Sequence, residues 1–145
     1  DKEYRREIPY LERALNYTRG DESTIAQLSG WLGLAHFNLG ESDVATNYLL
    51  EVIKNYPDQI HYAIQAYATL IRYSKKAADI ESVQEYATDA QRYAERLVSA
   101  GKDRAYPPLY VKMSQIMRLA GDEAQAGKWK EMQRINSLKT RNAKG

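Results

Sequence analysis

The stretch Leu28–Asp58, LSGWLGLAHFNLGESDVATNYLLEVIKNYPD, decides the reading of this chain. It holds an apolar-periodic segment, a break at Gly40, a second periodic segment and a Tyr56-Pro57-Asp58 stop. Two such segments joined by a short turn predict an antiparallel helix pair. Gly40 stands where that turn needs a residue free to adopt positive φ. Gly33 on the first helix and Ala45 on the second are small enough to let the two backbones approach closely.

Taken from Ala26 to Gln59, the unit places Leu32-Gly33, Ala45, Leu49 and Pro57 at the offsets of the pattern W-x2-L-G-x2-Y…A-x3-F…P. Ser29 stands for its aromatic and His36 for its Tyr. The segment resembles a tetratricopeptide repeat. The resemblance implies an all-α fold, a right-handed α-solenoid of antiparallel helix pairs, and a protein that acts by binding. It names no partner.

The same register extends in both directions. Residues 9–19 are expected to form a leading helix with Leu11 and Leu15 inward and Pro9 in its first turn, where its missing N–H costs nothing. Residue 1 then falls inside an incomplete helix, so the chain is expected to be a piece of a longer protein, with Leu11 or Leu15 left partly uncovered. The cluster Asp21–Thr24 supplies a cap for the next helix. Residues 26–59 are repeat 1, 60–106 an extended repeat 2, 107–140 repeat 3, and 141–145 a frayed polar tail. Together they make one domain, 1–145, of about seven helices.

In repeat 2 the stripe Ile60, Ala63, Tyr67, Leu70 predicts a helix from Gln59 to about Ser74. Lys75–Ala78 form a longer turn and Asp79 caps a helix reaching about Ala100, whose stripe is Val83, Ala87, Ala90, Ala94, Leu97. Gly40 and Gly121 are expected to be equivalent turn residues, with the excess over two repeat periods in this long helix and the Gly101–Tyr106 loop. Repeat 3 puts Tyr110, Met113, Ser114 and Met117 on its first helix. Ala126, Trp129, Met132, Ile135 and Leu138 lie on the inward side of its second.

Composition bounds the function. Hydrophobic content of 43%, charged content of 28% and a net charge of +2 are ordinary for a water-soluble globular chain and give no global pull toward nucleic acid. With no Cys there is no disulfide framework, thiolate metal site or Cys nucleophile. No run approaches the roughly 18 apolar residues of a membrane span. Cytoplasm and periplasm both fit, and the oligomeric state is not written in the pattern.

The inventory for chemistry is thin. His36 reads as a packed, hydrogen-bonded histidine and His61 as exposed; the two are far apart in register and complete no metal cluster. G-x-S-x-G, P-loop and G-x-G-x-x-G motifs are missing. The chain is therefore expected to be non-catalytic, with no cofactor and no metal. Lys128, Lys130, Arg134, Lys139, Arg141 and Lys144 make the last helix basic, with Glu131 the one acid among them. No aromatic residues interleave with these charges on a shared surface, so a solvated outer face is the favoured reading over nucleic-acid binding.

The resemblance also implies where binding occurs, since the first helix of each repeat lines the concave groove in that family. Carried over by register, the groove is Leu34 and Phe37, then His61, Ile64, Ala68 and Ile71, then Val111, Gln115 and Arg118. The Lys/Asn/Arg clamp by which some members hold chaperone C-termini is not matched. Gly30 and Leu34 replace its first Lys and Asn, Gln65 replaces the next Asn, and Lys112 alone agrees. Tyr48…Val52-Ile53…Tyr56-Pro57 followed by Ala63…Ala66 is similar to segments of bacterial cell-envelope members. The expected function is a scaffold that holds a peptide, helix or protein segment in an apolar groove. A nucleic-acid-associated repeat protein and a regulatory domain cut from a larger enzyme are the alternatives.

Overall fold

The structure, a computed structural model, describes residues 2–144. Asp1, Gly145 and the side chain of Lys144 lie outside the described residues. Within them the chain is all-α: α1 (Lys2–Tyr17), α2 (Glu22–Asn38), α3 (Ser42–Asn55), α4 (Ile60–Lys76), α5 (Ile80–Ser99), α6 (Leu109–Leu119) and α7 (Glu123–Lys144), with a 3-10 turn at Lys102–Ala105. Two compact units divide it, residues 1–73 and 74–145. Within the first unit α1 packs on α2 and α2 on α3, and within the second α5 packs on α6 and α6 on α7, so that helices adjacent in sequence are neighbours as in a helical repeat.

In the first unit α2 packs on both α1 and α3. It therefore buries more than one face, through Ala26, Leu28, Ser29, Leu32, Gly33, Ala35 and His36, as a helix apolar nearly all round must. Asp21 caps it, accepting from the Thr24 N–H at 3.2 Å and from the Thr24 hydroxyl at 2.7 Å. From α3 come Ala45, Leu49 and Val52. Phe37 stacks on Tyr73 with centroids 4.3 Å apart and planes 9° apart, and the Tyr73 hydroxyl donates to Asn38 Oδ1 at 3.1 Å, which ties α2 to α4.

In the second unit α6 packs against α5 and α7. The Ser114 hydroxyl donates to the Ala126 carbonyl at 3.0 Å, and the Trp129 indole N–H donates to Gln91 Oε1 at 2.7 Å. Tyr93 on α5 is buried beside the expected alanine stripe and gives that helix a bulky member the stripe omitted.

Several expectations need correction. α1 begins at Lys2 rather than at Pro9, and Pro9 lies inside it. Pro9 offers no N–H to the Arg5 carbonyl. The flanking Lys, Glu and Arg are good helix formers, and Tyr4, Ile8, Leu11 and Leu15 are each half-buried on one stripe. The tail is helical too, since α7 continues to Lys144. Ile135 and Leu138 are exposed rather than inward. α6 has 11 residues and α7 has 22, so the second half of α7 outruns its neighbour.

The turn after α4 is shorter than Lys75–Ala78, because α4 runs on to Lys76. It is closed by Ala78 at φ +56°. The Asp79 N–H reaches back to the Ser74 carbonyl at 2.9 Å, as the Glu41 N–H reaches the His36 carbonyl at 2.9 Å after Gly40. Ala78 is thus the counterpart of Gly40 and Gly121, in a left-handed conformation that alanine adopts only at a cost.

Candidate functional site

Six of the nine expected groove residues lie in the first unit and three in the second, and their burial differs. Ile64 and Ile71 are 1% and 0% exposed and belong to the core. The physical reason is a broad apolar arc on α4, where Ala63, Ile64, Ala66, Tyr67, Leu70 and Ile71 are all buried. Phe37 is half-buried under its stack with Tyr73, and Ala68 is half-buried. His61 is exposed and meets Tyr62 edge-on, with centroids 5.0 Å apart. On α6, in the second unit, Val111, Gln115 and Arg118 are exposed, and Arg118 Nε lies 3.7 Å from Glu123 Oε2. Leu34, 37% exposed, opens into a cleft of the first unit.

This cleft lies between α1 and α2 and has a volume of about 440 Å³. Tyr4, Glu7, Tyr10 and Leu11 line it from α1, and Trp31, Leu34 and Ala35 from α2. The α1 residues recur at i, i+3, i+6 and i+7, and Trp31 and Leu34 are three apart, so one face of each helix meets the other across the opening. Two of its aromatic side chains are unusually open for their size, with Tyr10 71% and Trp31 51% exposed. Glu7 is the charged residue of the lining and makes no ion pair or hydrogen bond among the described residues. α1 contributes no fully buried residue, so this wall stands on a helix held by a half-buried stripe alone.

A larger cleft, about 550 Å³, lies among α1, α2 and α3, lined by Leu15, Ile25, Ser29, Val44, Asn47, Tyr48 and Glu51. Among the described residues it offers one exposed large apolar side chain, Val44, and no exposed aromatic ring. Burial pushes the Tyr48 hydroxyl above its ordinary range, with the charge of Glu12 adding. Leu11 and Leu15 each line one of these two clefts and are half-buried.

His36 is packed but not hydrogen-bonded. Its ring stacks on Tyr48 with centroids 5.6 Å apart, and neither nitrogen has a hydrogen-bond partner among the described residues. Nδ1 lies 3.6 Å from Glu41 Oε1, beyond bonding range but close enough to pair if the ring is protonated. Among the described residues no group of three or more His, Cys, Asp or Glu could hold a metal, and no helix is long and apolar enough to cross a membrane. On α7, Lys128, Lys130, Arg134, Lys139 and Arg141 are exposed; Arg134 is held by Glu131 at 2.6 Å, and the one aromatic of that helix, Trp129, is buried.

Reading the sequence missed Tyr4, Glu7, Tyr10 and Trp31. A leading helix that begins at Pro9 excludes Tyr4 and Glu7, which the observed α1 includes. The recoverable signal is the spacing of Trp31 and Leu34, three apart and so on one face of α2. Comparison with known proteins finds no matching family model, no matching curated protein and no matching solved structure.

Proposed function

We propose that this chain is a non-catalytic binding module of tetratricopeptide-like design, and that it holds a segment of another protein in the cleft between α1 and α2. The observation that carries this reading is the convergence of Tyr10, Trp31 and Leu34, all substantially exposed, on one concavity with Tyr4 and Leu11. Large apolar side chains left in water at one place contribute nothing to the core, and such patches mark interaction sites. Concave sites with an apolar lining and few polar groups are the usual form of a ligand pocket. Trp and Tyr are also the side chains that most often dominate binding energy at interfaces.

The partner in this reading is a protein or peptide rather than nucleic acid. A nucleic-acid site on α7 would want exposed rings beside its cations, and the one ring there is buried. Selection from a random peptide display library tests the proposal. Enrichment of sequences sharing one anchor residue, displaced by each other in competition, is the expected result. A library that returns no consensus over repeated rounds contradicts it.

A further inference from the structure

We infer that the anchor which the α1–α2 cleft accepts is a cationic side chain, an alkylammonium or guanidinium group on an apolar stem. The inference rests on the reading that this cleft binds a protein segment, and it specifies the chemistry of the part that enters.

Three features of the lining point to a cation. Tyr4, Tyr10 and Trp31 bring three aromatic side chains to one opening, and the negative faces of such rings attract a cation placed over them. A cleft built for an aliphatic anchor alone has no need of rings standing this far out in water. Second, Glu7 adds a carboxylate to the same lining. Lys2, Glu3 and Arg6 line an adjoining cleft that shares Glu7 and Tyr10, yet neither Lys2 nor Arg6 pairs with Glu7. The Glu7 carboxylate is therefore not neutralised by any of the described residues. Third, Leu11, Leu34 and Ala35 supply an aliphatic strip along which a methylene stem can lie while its head reaches the rings and Glu7. An anionic anchor would meet the opposite of what it needs, since among the described residues no Lys or Arg lines this cleft.

The chain carries its own reporter. Of its two tryptophans, Trp31 lines the cleft, whereas Trp129 is buried and donates its indole N–H to Gln91. In a two-dimensional NMR titration the Trp31 indole resonance reads the site and the Trp129 resonance serves as control. The probes are the N-acetyl amides of lysine, trimethyllysine and arginine, with N-acetyl-norleucine amide as the neutral counterpart of similar stem. The expected result is a saturable shift of Trp31 alone by the cationic probes, at least about threefold tighter than by norleucine. Glu7→Gln is expected to weaken the cationic probes by about three- to tenfold and leave norleucine unchanged. Glu7 is exposed, and an unchanged circular dichroism spectrum confirms that the variant folds.

Norleucine binding as tightly as the cations overturns the inference while leaving the cleft as a protein-binding site. No effect of Glu7→Gln on the cations overturns it as well, as does the failure of every cationic probe to move Trp31. In those cases the display selection, which does not depend on charge, still decides the reading beneath.

Discussion

Gly33 and Leu49 meet across the α2–α3 interface so closely that a methyl group on Gly33 would lie 2.7 Å from Leu49 Cγ. It would also lie 3.2 Å from the Ala45 carbonyl oxygen. Leu49 is 1% exposed and has little room to yield, and the Ala45 oxygen is backbone. Gly33→Ala gains about 1 kcal/mol of helix propensity, but overpacking costs roughly 1–3 kcal/mol, so the variant is expected to be less stable. Gly33→Leu is expected to be far worse. Denaturant unfolding checks both, and an unchanged midpoint for the leucine variant would refute the close approach.

Ala78 offers the opposite opportunity. It carries a left-handed φ of +56° in the position that Gly40 and Gly121 fill elsewhere. The left-handed conformation costs an alanine about 1–2 kcal/mol, and the greater freedom of glycine in the unfolded chain returns part of that. Ala78→Gly is expected to raise stability by about 0.5–1 kcal/mol, read as a higher thermal midpoint. A lower midpoint would mean that the turn does not use this conformation.

Tyr110 predicts an alkaline sensitivity. Burial pushes its hydroxyl up to about 12, with the 2.5 Å hydrogen bond to Asp103 and that carboxylate's charge adding. The fold favours the neutral phenol, so this contribution is complete below the ordinary tyrosine value of about 10. It is lost as pH rises from there through about 12. Stability measured across that window is expected to fall more steeply for the natural chain than for Tyr110→Phe. Equal slopes would contradict the assignment.

The burial of Ile71 and the exposure of Leu34 separate core from surface among residues that the register treated alike. Ile71→Ala is expected to cost roughly 2–5 kcal/mol, the range for emptying a packed site. Leu34→Glu is expected to leave circular dichroism and melting within about 0.5 kcal/mol of the natural chain. If Leu34→Glu unfolds the protein, its cleft is part of the core.

What the sequence disclosed and what it hid follow from the same physics. Helix pairs, the caps Asp21 and Asp79 and the close approach at Gly33 were legible because periodicity, capping chemistry and small residues leave local marks. The turn at Ala78 was not, since alanine carries no sign of positive φ. On α4 the adjacent apolar pairs Ala63-Ile64 and Leu70-Ile71 are buried at both members, an arc broader than the single stripe that helical periodicity marks. The cleft was hidden because it depends on α1 continuing back through Pro9, which local rules disfavour. Of the nine expected groove residues, Ile64 and Ile71 are core, whereas Leu34, His61, Val111, Gln115 and Arg118 are exposed.

The central claim is that the α1–α2 cleft is where a protein segment binds. It is tested most directly by isothermal titration of a display-selected peptide against the natural chain, Trp31→Ser, Leu34→Glu and the control Ile135→Glu, whose site is exposed on α7 in the other unit. The account predicts at least a roughly tenfold loss of affinity in the two cleft variants, the range of an interface anchor, and none in the control. Equal affinity for all four proteins, with folding intact, would contradict it.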